Sequence, residues 1–89
     1  MDIESLRKEI DQVDKEILSL FAKRMKISKQ IAKIKQKSGE KIISTKREED
    51  ILSKLKKLSV KKGLNFTFIS SVFNLILKES RDIQKKEIS

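Results

Sequence analysis

The chain has 89 residues, a net charge of +9, no Pro, no Trp and only two Gly. Lys, Glu, Ile, Leu and Ser dominate, a composition typical of long helices, and the length suits one small all-α domain spanning residues 1–89. The lack of Cys and His excludes disulfides, a thiolate nucleophile, an imidazole base and the usual Cys/His metal site.

The first predicted helix runs from about Ile3 to Lys37 and carries a heptad seam. Arg24 occupies the one seam position where the pattern calls for Leu or Ile. A permanent charge on a stripe destined for burial is costly unless an anion meets it. We therefore expect the seam to enclose an acid, from the protein or from a ligand. The apolar seam residues are Ile3, Leu6, Ile10, Val13, Ile17 and Leu20 before Arg24, and Ile27, Ile31 and Ile34 after it.

Two shorter helices are predicted after a short loop. The second covers about residues 46–62, with Ser44 or Thr45 as its cap. The third opens at Asn65 or Thr67 and runs to about residue 86. Their apolar stripes are Ile51, Leu55 and Leu58 in the second helix, and Ile69, Val72, Phe73 and Ile76 in the third.

Each helix also carries polar residues where its apolar stripe should continue. Lys35 lies three turns beyond Arg24 and only about 20° round the axis, so both project from one side. Glu48 begins the stripe of the second helix, and Ser80 and Gln84 continue that of the third. Any one of these fits a satisfied core residue or a helix end, but together they indicate a buried polar pocket. Without an evident nucleophile, such a pocket suits binding a small dicarboxylate or a reaction governed by shape and electrostatics.

The basic charge is compatible with nucleic-acid binding, but its distribution favours a solvated surface. Lysines alternate with acids along the polar helix faces, and all four aromatic residues are Phe, mostly in core-like positions. Arg is scarce, with four against 18 Lys, which suggests that an Arg marks a place where a planar fork for carboxylate or phosphate is needed. The first eight residues have no apolar run behind them, so we expect neither a signal peptide nor a membrane span, and a cytoplasmic protein.

A set of motifs lies in a fixed order and spacing over roughly residues 3 to 86. They are residues 6–11, Val13-Asp14, Arg24, residues 31–35, Arg47-Glu48 before Ile51-Leu52, and Ser80 with Gln84. In these motifs the chain resembles the all-helical chorismate mutases. That family implies a cofactor-free isomerase of the shikimate pathway and aromatic amino-acid biosynthesis, which rearranges chorismate to prephenate. It also implies one long and two shorter helices in an intertwined homodimeric helical bundle.

By this resemblance Arg24 and Arg7 hold the two substrate carboxylates. Lys35 and Gln84 donate to the ether oxygen as its bond lengthens, and Glu48 accepts a hydrogen bond from the ring hydroxyl. The substrate-binding residues implied are Arg7, Arg24, Lys35, Ser44, Arg47, Glu48, Ser80 and Gln84.

Helix geometry independently supports a dimer. On one straight helix Arg7 and Arg24 are about 26 Å apart, too far for one small ligand. Arg7 is therefore expected to come from a second chain, with the two long helices antiparallel.

Several alternatives stay open. Isochorismate pyruvate lyases share this fold but lack an acid after the second-helix Arg, so Glu48 favours the mutase. A non-enzymatic basic helical module gives no reason for Ser80 and Gln84 on an apolar face. Ser44 stands where relatives commonly have Asp, and it is either a binding residue or only a helix cap. Arg81 has no counterpart in the resemblance and is expected on the surface, as is Lys78.

Overall fold

The computed structural model describes residues 2–88, which form three helices and no strand. The helices are α1 (Ile3–Ser38), α2 (Thr45–Lys61) and α3 (Phe66–Ile88). The predicted all-α class is confirmed, as is the order of one long and two shorter helices. Each helix boundary lies within about two residues of its predicted position, the usual scatter of helix ends.

Each helix begins at a polar side chain that caps it. Asp2, Ser44 and Asn65 each accept a hydrogen bond from the backbone N–H three residues further on, at 2.7, 3.2 and 3.1 Å. α1 ends at Gly39, whose φ of +75° is the left-handed conformation that glycine adopts without a steric penalty. The caps of α2 and α3 are therefore Ser44 and Asn65, which were two of the four predicted candidates.

α3 holds the fold together because it packs against both other helices. Within residues 2–88, α1 and α2 do not approach each other closely. The apolar residues buried most completely are Ile76 and Leu77 of α3 and Ala32 of α1. Ser28 is also buried one turn before Ala32, and two small side chains in succession let α3 come close to α1. The space between α1 and α2 is left open.

The first half of α1 extends beyond the rest of the chain. Every residue from 2 to 20 is exposed, and the longest dimension of the chain is 55 Å. The radius of gyration is 16.2 Å, against about 12 Å for a compact domain of this length. The N-terminal seam, 41–65% exposed, consists of Ile3, Leu6, Ile10, Val13, Ile17 and Leu20. No helix within residues 2–88 has an apolar stretch long enough to cross a membrane.

Candidate active site

A cavity of about 430 Å³ occupies the space between α1 and α2, with α3 as its floor. This volume suits a small-molecule ligand. Seven of the eight predicted site residues line it: Arg24, Lys35, Ser44, Arg47, Glu48, Ser80 and Gln84. The eighth, Arg7, does not. The apolar part of the wall comes from Ile27, Ile31, Ile42, Ile51 and Leu77.

Arg24 brings an uncompensated positive charge to the cavity from the middle of α1. Burial lowers the pKa of its guanidinium, and the charge of the nearby Arg47 lowers that pKa further. Among the residues that the structure describes, no acid forms an ion pair with Arg24, whereas Arg47 pairs with Asp50 at 3.1 Å. A half-buried cation that repels its neighbour and lacks an acid is a ready site for an anionic ligand.

Lys35 lies about 16 Å further along α1 and points to the same cavity. Its Nζ atom donates a hydrogen bond to the carbonyl oxygen of Ile42 at 2.8 Å, which ties the loop between α1 and α2 to the cavity wall. An ammonium group has three hydrogens. Two therefore remain for a ligand.

Three buried polar side chains meet at the bottom of the cavity, Ser80 and Gln84 of α3 and Ser28 of α1. The hydroxyl oxygens of Ser28 and Ser80 lie 2.7 Å apart, and the Gln84 Nε2 atom donates to the Ser80 hydroxyl at 3.4 Å. Gln84 Oε1 is buried and has no hydrogen-bond partner among the described residues. An unsatisfied buried acceptor destabilises a fold by about 1–3 kcal/mol. The second N–H of the amide is also left for a ligand, so Gln84 is only partly satisfied by the protein itself.

Glu48 of α2 and Arg81 of α3 form an ion pair across the cavity rim. The Arg81 Nη1 atom donates to Glu48 Oε1 at 2.6 Å, and the two side chains are 29% and 26% exposed. The prediction that Arg81 lies on the surface is wrong. Arg81 follows Ser80 by 100° of helix turn, which leaves its long side chain at the edge of the cavity. Lys78 does lie on the outer face, where it pairs with Asp82 at 3.1 Å.

Arg7 is far from the cavity in the single chain. It lies in the exposed first half of α1 and pairs with Glu4 of its own helix at 2.8 Å. Its side chain is 68% exposed, so this ion pair contributes little to stability. One chain therefore assembles the other seven predicted residues and leaves Arg7 available to a neighbouring molecule.

Two further polar residues line the cavity that the sequence interpretation missed, Ser28 and Arg81. Ser28 lies four residues after Arg24, on the same side of α1, and the argument that selected Ser80 applies to it equally. Arg81 is one of only four Arg in the chain, and this scarcity could have marked it as a site residue. With it, the cavity has four cations (Arg24, Lys35, Arg47 and Arg81) and one acid (Glu48).

Comparisons with known proteins agree on one family. The profile of the family described as chorismate mutase type II matches residues 6–85. The chain is 42% identical over 85 residues to the bifunctional chorismate mutase/prephenate dehydratase of Buchnera aphidicola subsp. Schizaphis graminum. The aligned region covers 96% of this chain and 22% of that protein. It is 33% identical over 78 residues to the T-protein of Haemophilus influenzae, covering 88% of this chain and 21% of that protein.

A shorter relative matches over most of its own length. The chorismate mutase of Methanocaldococcus jannaschii is 30% identical over 81 residues, which covers 91% of this chain and 82% of that protein. The chain thus spans about a fifth of the first two relatives and most of the third.

Proposed function

Because this chain belongs to the chorismate mutase type II family, we propose that it rearranges chorismate to prephenate. The observation that carries the proposal is the cavity between α1 and α2, where Arg24, Lys35, Glu48 and Gln84 face one space of ligand size. The chain acts as one mutase domain. Only the mutase reaction is proposed, because the chain spans about a fifth of its bifunctional relatives.

The reaction requires little of a protein beyond positioning and electrostatics. The bond from the ring to the ether oxygen breaks while a carbon–carbon bond forms between the enolpyruvyl group and the ring, so every atom is retained. Neither a nucleophile nor a cofactor takes part. A cavity that holds both carboxylates selects the compact conformer in which the reacting carbons are close.

Arg24 binds one substrate carboxylate. Its half-buried charge with no ion-pair partner among residues 2–88 supports this role, because a planar guanidinium binds a carboxylate through two parallel hydrogen bonds. The second carboxylate binds Arg7 of a second copy of the chain, with Arg47 nearby on the rim.

Lys35 and Gln84 donate to the ether oxygen, on which negative charge develops as its bond to the ring lengthens. The unused hydrogens on the Lys35 ammonium and the Gln84 amide support this role. Donors already fixed in place act without reorganisation, which is the usual source of the largest rate effect in such sites. Glu48 accepts from the ring hydroxyl, and Ser80 completes the pocket.

Ser44 has a smaller part in this scheme. Its hydroxyl caps α2 by accepting the Arg47 N–H at 3.2 Å. The cap fixes the turn from which Arg47 and Glu48 project. A direct contact between Ser44 and substrate stays a prediction.

The protein acts as an intertwined homodimer with antiparallel α1 helices. Six apolar residues of the N-terminal seam lie on one side of α1 and are exposed in one chain, and a continuous exposed apolar stripe is typical of a protein–protein interface. A second copy covers the stripe by heptad packing. Two-fold symmetry then carries each Arg7 toward the other chain's cavity.

A spectrophotometric assay tests this function. Chorismate and isochorismate are supplied separately, and loss of each is followed together with formation of prephenate or pyruvate. We expect chorismate to be converted to prephenate and isochorismate to persist. Pyruvate formed from isochorismate identifies a lyase instead, and no loss of either compound identifies a scaffold without activity.

A further inference from the structure

The acid that lines the cavity forms an ion pair with Arg81 of α3. Glu48 is the one carboxylate among the cavity-lining residues of the described chain, and Arg81 donates to its Oε1 atom at 2.6 Å. The two residues belong to different helices, α2 and α3. Both side chains are about three-quarters buried, so water screens this pair less than it screens the exposed ion pairs elsewhere on the chain.

Without Arg81, Glu48 would have other cations within the same cavity. Arg24 and Arg47 line that cavity and repel each other, so an unattached carboxylate would be drawn between them. Such a contact would neutralise the guanidinium that is to receive a ligand carboxylate. Arg47 already forms an ion pair with Asp50, which is not one of the residues that line the cavity. The Arg81–Glu48 ion pair places the cavity-lining acid on the α3 side instead.

We propose that Arg81 is a positioning residue that holds Glu48 by Oε1 on the α3 side of the cavity. Glu48 Oε2 is then left to accept a hydrogen bond from a ligand hydroxyl, while Arg24 is left free for an anion. This role rests on the proposed function, because it assumes that the ligand is a hydroxylated diacid such as chorismate. It concerns a residue to which the family resemblance gives no role.

A double-mutant cycle on turnover of chorismate tests the role. The variants are Arg81→Met, Glu48→Gln and the pair together, with Arg81→Lys as the conservative replacement. We expect Arg81→Met to lower kcat/KM about tenfold, and by less than about twofold when Glu48 is already Gln, because residues of one ion-pair network are coupled. Arg81→Lys recovers part of the loss. Lys78→Met, which breaks the exposed pair with Asp82 on the same helix, leaves kcat/KM unchanged.

Each other outcome overturns the role in a distinguishable way. An equal loss of kcat/KM in both backgrounds means that Arg81 contacts the substrate itself or supports only the fold. The stability of the same four proteins is also measured by thermal unfolding, which does not depend on activity. If the stability losses of the two single variants simply add in the double variant, the ion pair does not form in solution. If the unsubstituted chain leaves chorismate unchanged, the proposed function fails and the role of Arg81 fails with it.

Discussion

The two halves of α1 share one heptad pattern but have different surroundings. Residues 2–20 are all exposed, whereas between residues 21 and 38 Ser28 and Ala32 are buried against α3, and Arg24 and Lys35 are half-buried in the cavity wall. The apolar period is the same in both halves. Periodicity therefore identifies the face that is buried and does not identify what covers it. In the second half α3 covers part of that face, and in the first half we infer a second chain.

The halves also differ in how regular their pattern is. The N-terminal seam is apolar without interruption from Ile3 to Leu20, as expected for a face that meets only another helix. The second half is interrupted by Arg24, and Ser28 and Lys35 project from the same side. Polar interruptions of a helix stripe thus mark the part of the helix that faces a cavity.

A charge placed in the N-terminal seam is the most disruptive test of this contrast. In the proposed dimer Val13→Glu would bury two unpaired carboxylates, and we expect the dissociation constant to rise by roughly a thousandfold or more. Light scattering over a range of concentrations should then give the mass of one chain, with turnover lost in parallel. The control is Leu18→Glu, at an exposed apolar residue outside the seam and about 140° round α1 from Val13. Equal dissociation of both variants would argue against the seam as the interface.

In the second half of α1, Lys35→Ala removes the proposed donor to the ether oxygen. We expect kcat to fall about 100- to 1,000-fold, the usual effect of losing one such donor. Circular dichroism should show unchanged helix content, since the Lys35 ammonium donates to a loop carbonyl and the substitution leaves the backbone hydrogen bonds of α1 in place. Lys37→Ala, two residues further along, serves as the matched control and should keep its activity. A Lys35→Ala variant with normal turnover would refute the role.

Gln84→Glu should convert a pH-independent donor into a pH-dependent one. Gln84 is neutral at all ordinary pH, whereas a carboxyl donates only while it is protonated. We expect the variant to rearrange chorismate in acid and to lose activity as the pH rises through the pKa of the new carboxyl. The measurement is kcat/KM of both proteins between about pH 4, where a free carboxyl group titrates, and about pH 8, where it is ionised. Parallel profiles would contradict donation by Gln84.

The smallest effect is expected on stability, at Arg24. Its lowered pKa means that the folded chain binds the guanidinium proton less tightly than the unfolded chain does, so the charge destabilises the fold wherever it is present. We expect Arg24→Met to raise the free energy of unfolding by up to about 1 kcal/mol, the low end for replacing a buried charge, since water screens part of it. Turnover is lost at the same time. The free energy of unfolding of both proteins is measured in urea at matched protein concentration. An Arg24→Met variant less stable than the unsubstituted chain would contradict this account.

The sequence predicted the helices well because each is specified locally. Apolar spacing, a capping side chain and a left-handed Gly all act within a few residues of one another, as Asp2 and Gly39 do in α1. The polar interruptions predicted five cavity residues, Arg24, Lys35, Glu48, Ser80 and Gln84, for a similar reason, because each is visible against the stripe of its own helix. Ser44 and Arg47 were predicted as site residues only from the family resemblance.

Tertiary packing accounts for what the sequence did not predict. The Arg81–Glu48 pair joins residues 33 positions apart on two helices, and its formation depends on how α3 lies against α2. The contact between the Ser28 and Ser80 hydroxyls likewise joins two helices, although the position of Ser28 on the polar side of α1 could have been read from the sequence. No pattern within one helix reports a contact between helices.

Complementation between two inactive variants tests the shared site most directly. Arg7→Ala and Lys35→Ala are each purified, mixed, unfolded and refolded together. If Arg7 serves the other chain's cavity, each mixed dimer contains one intact site and one doubly defective site. Turnover should then recover to about a quarter of that of the unsubstituted protein, since half of the dimers are mixed. Refolding Arg24→Ala with Lys35→Ala should give no recovery, because those two residues line the same cavity. No recovery with Arg7→Ala either would contradict a site built from two chains.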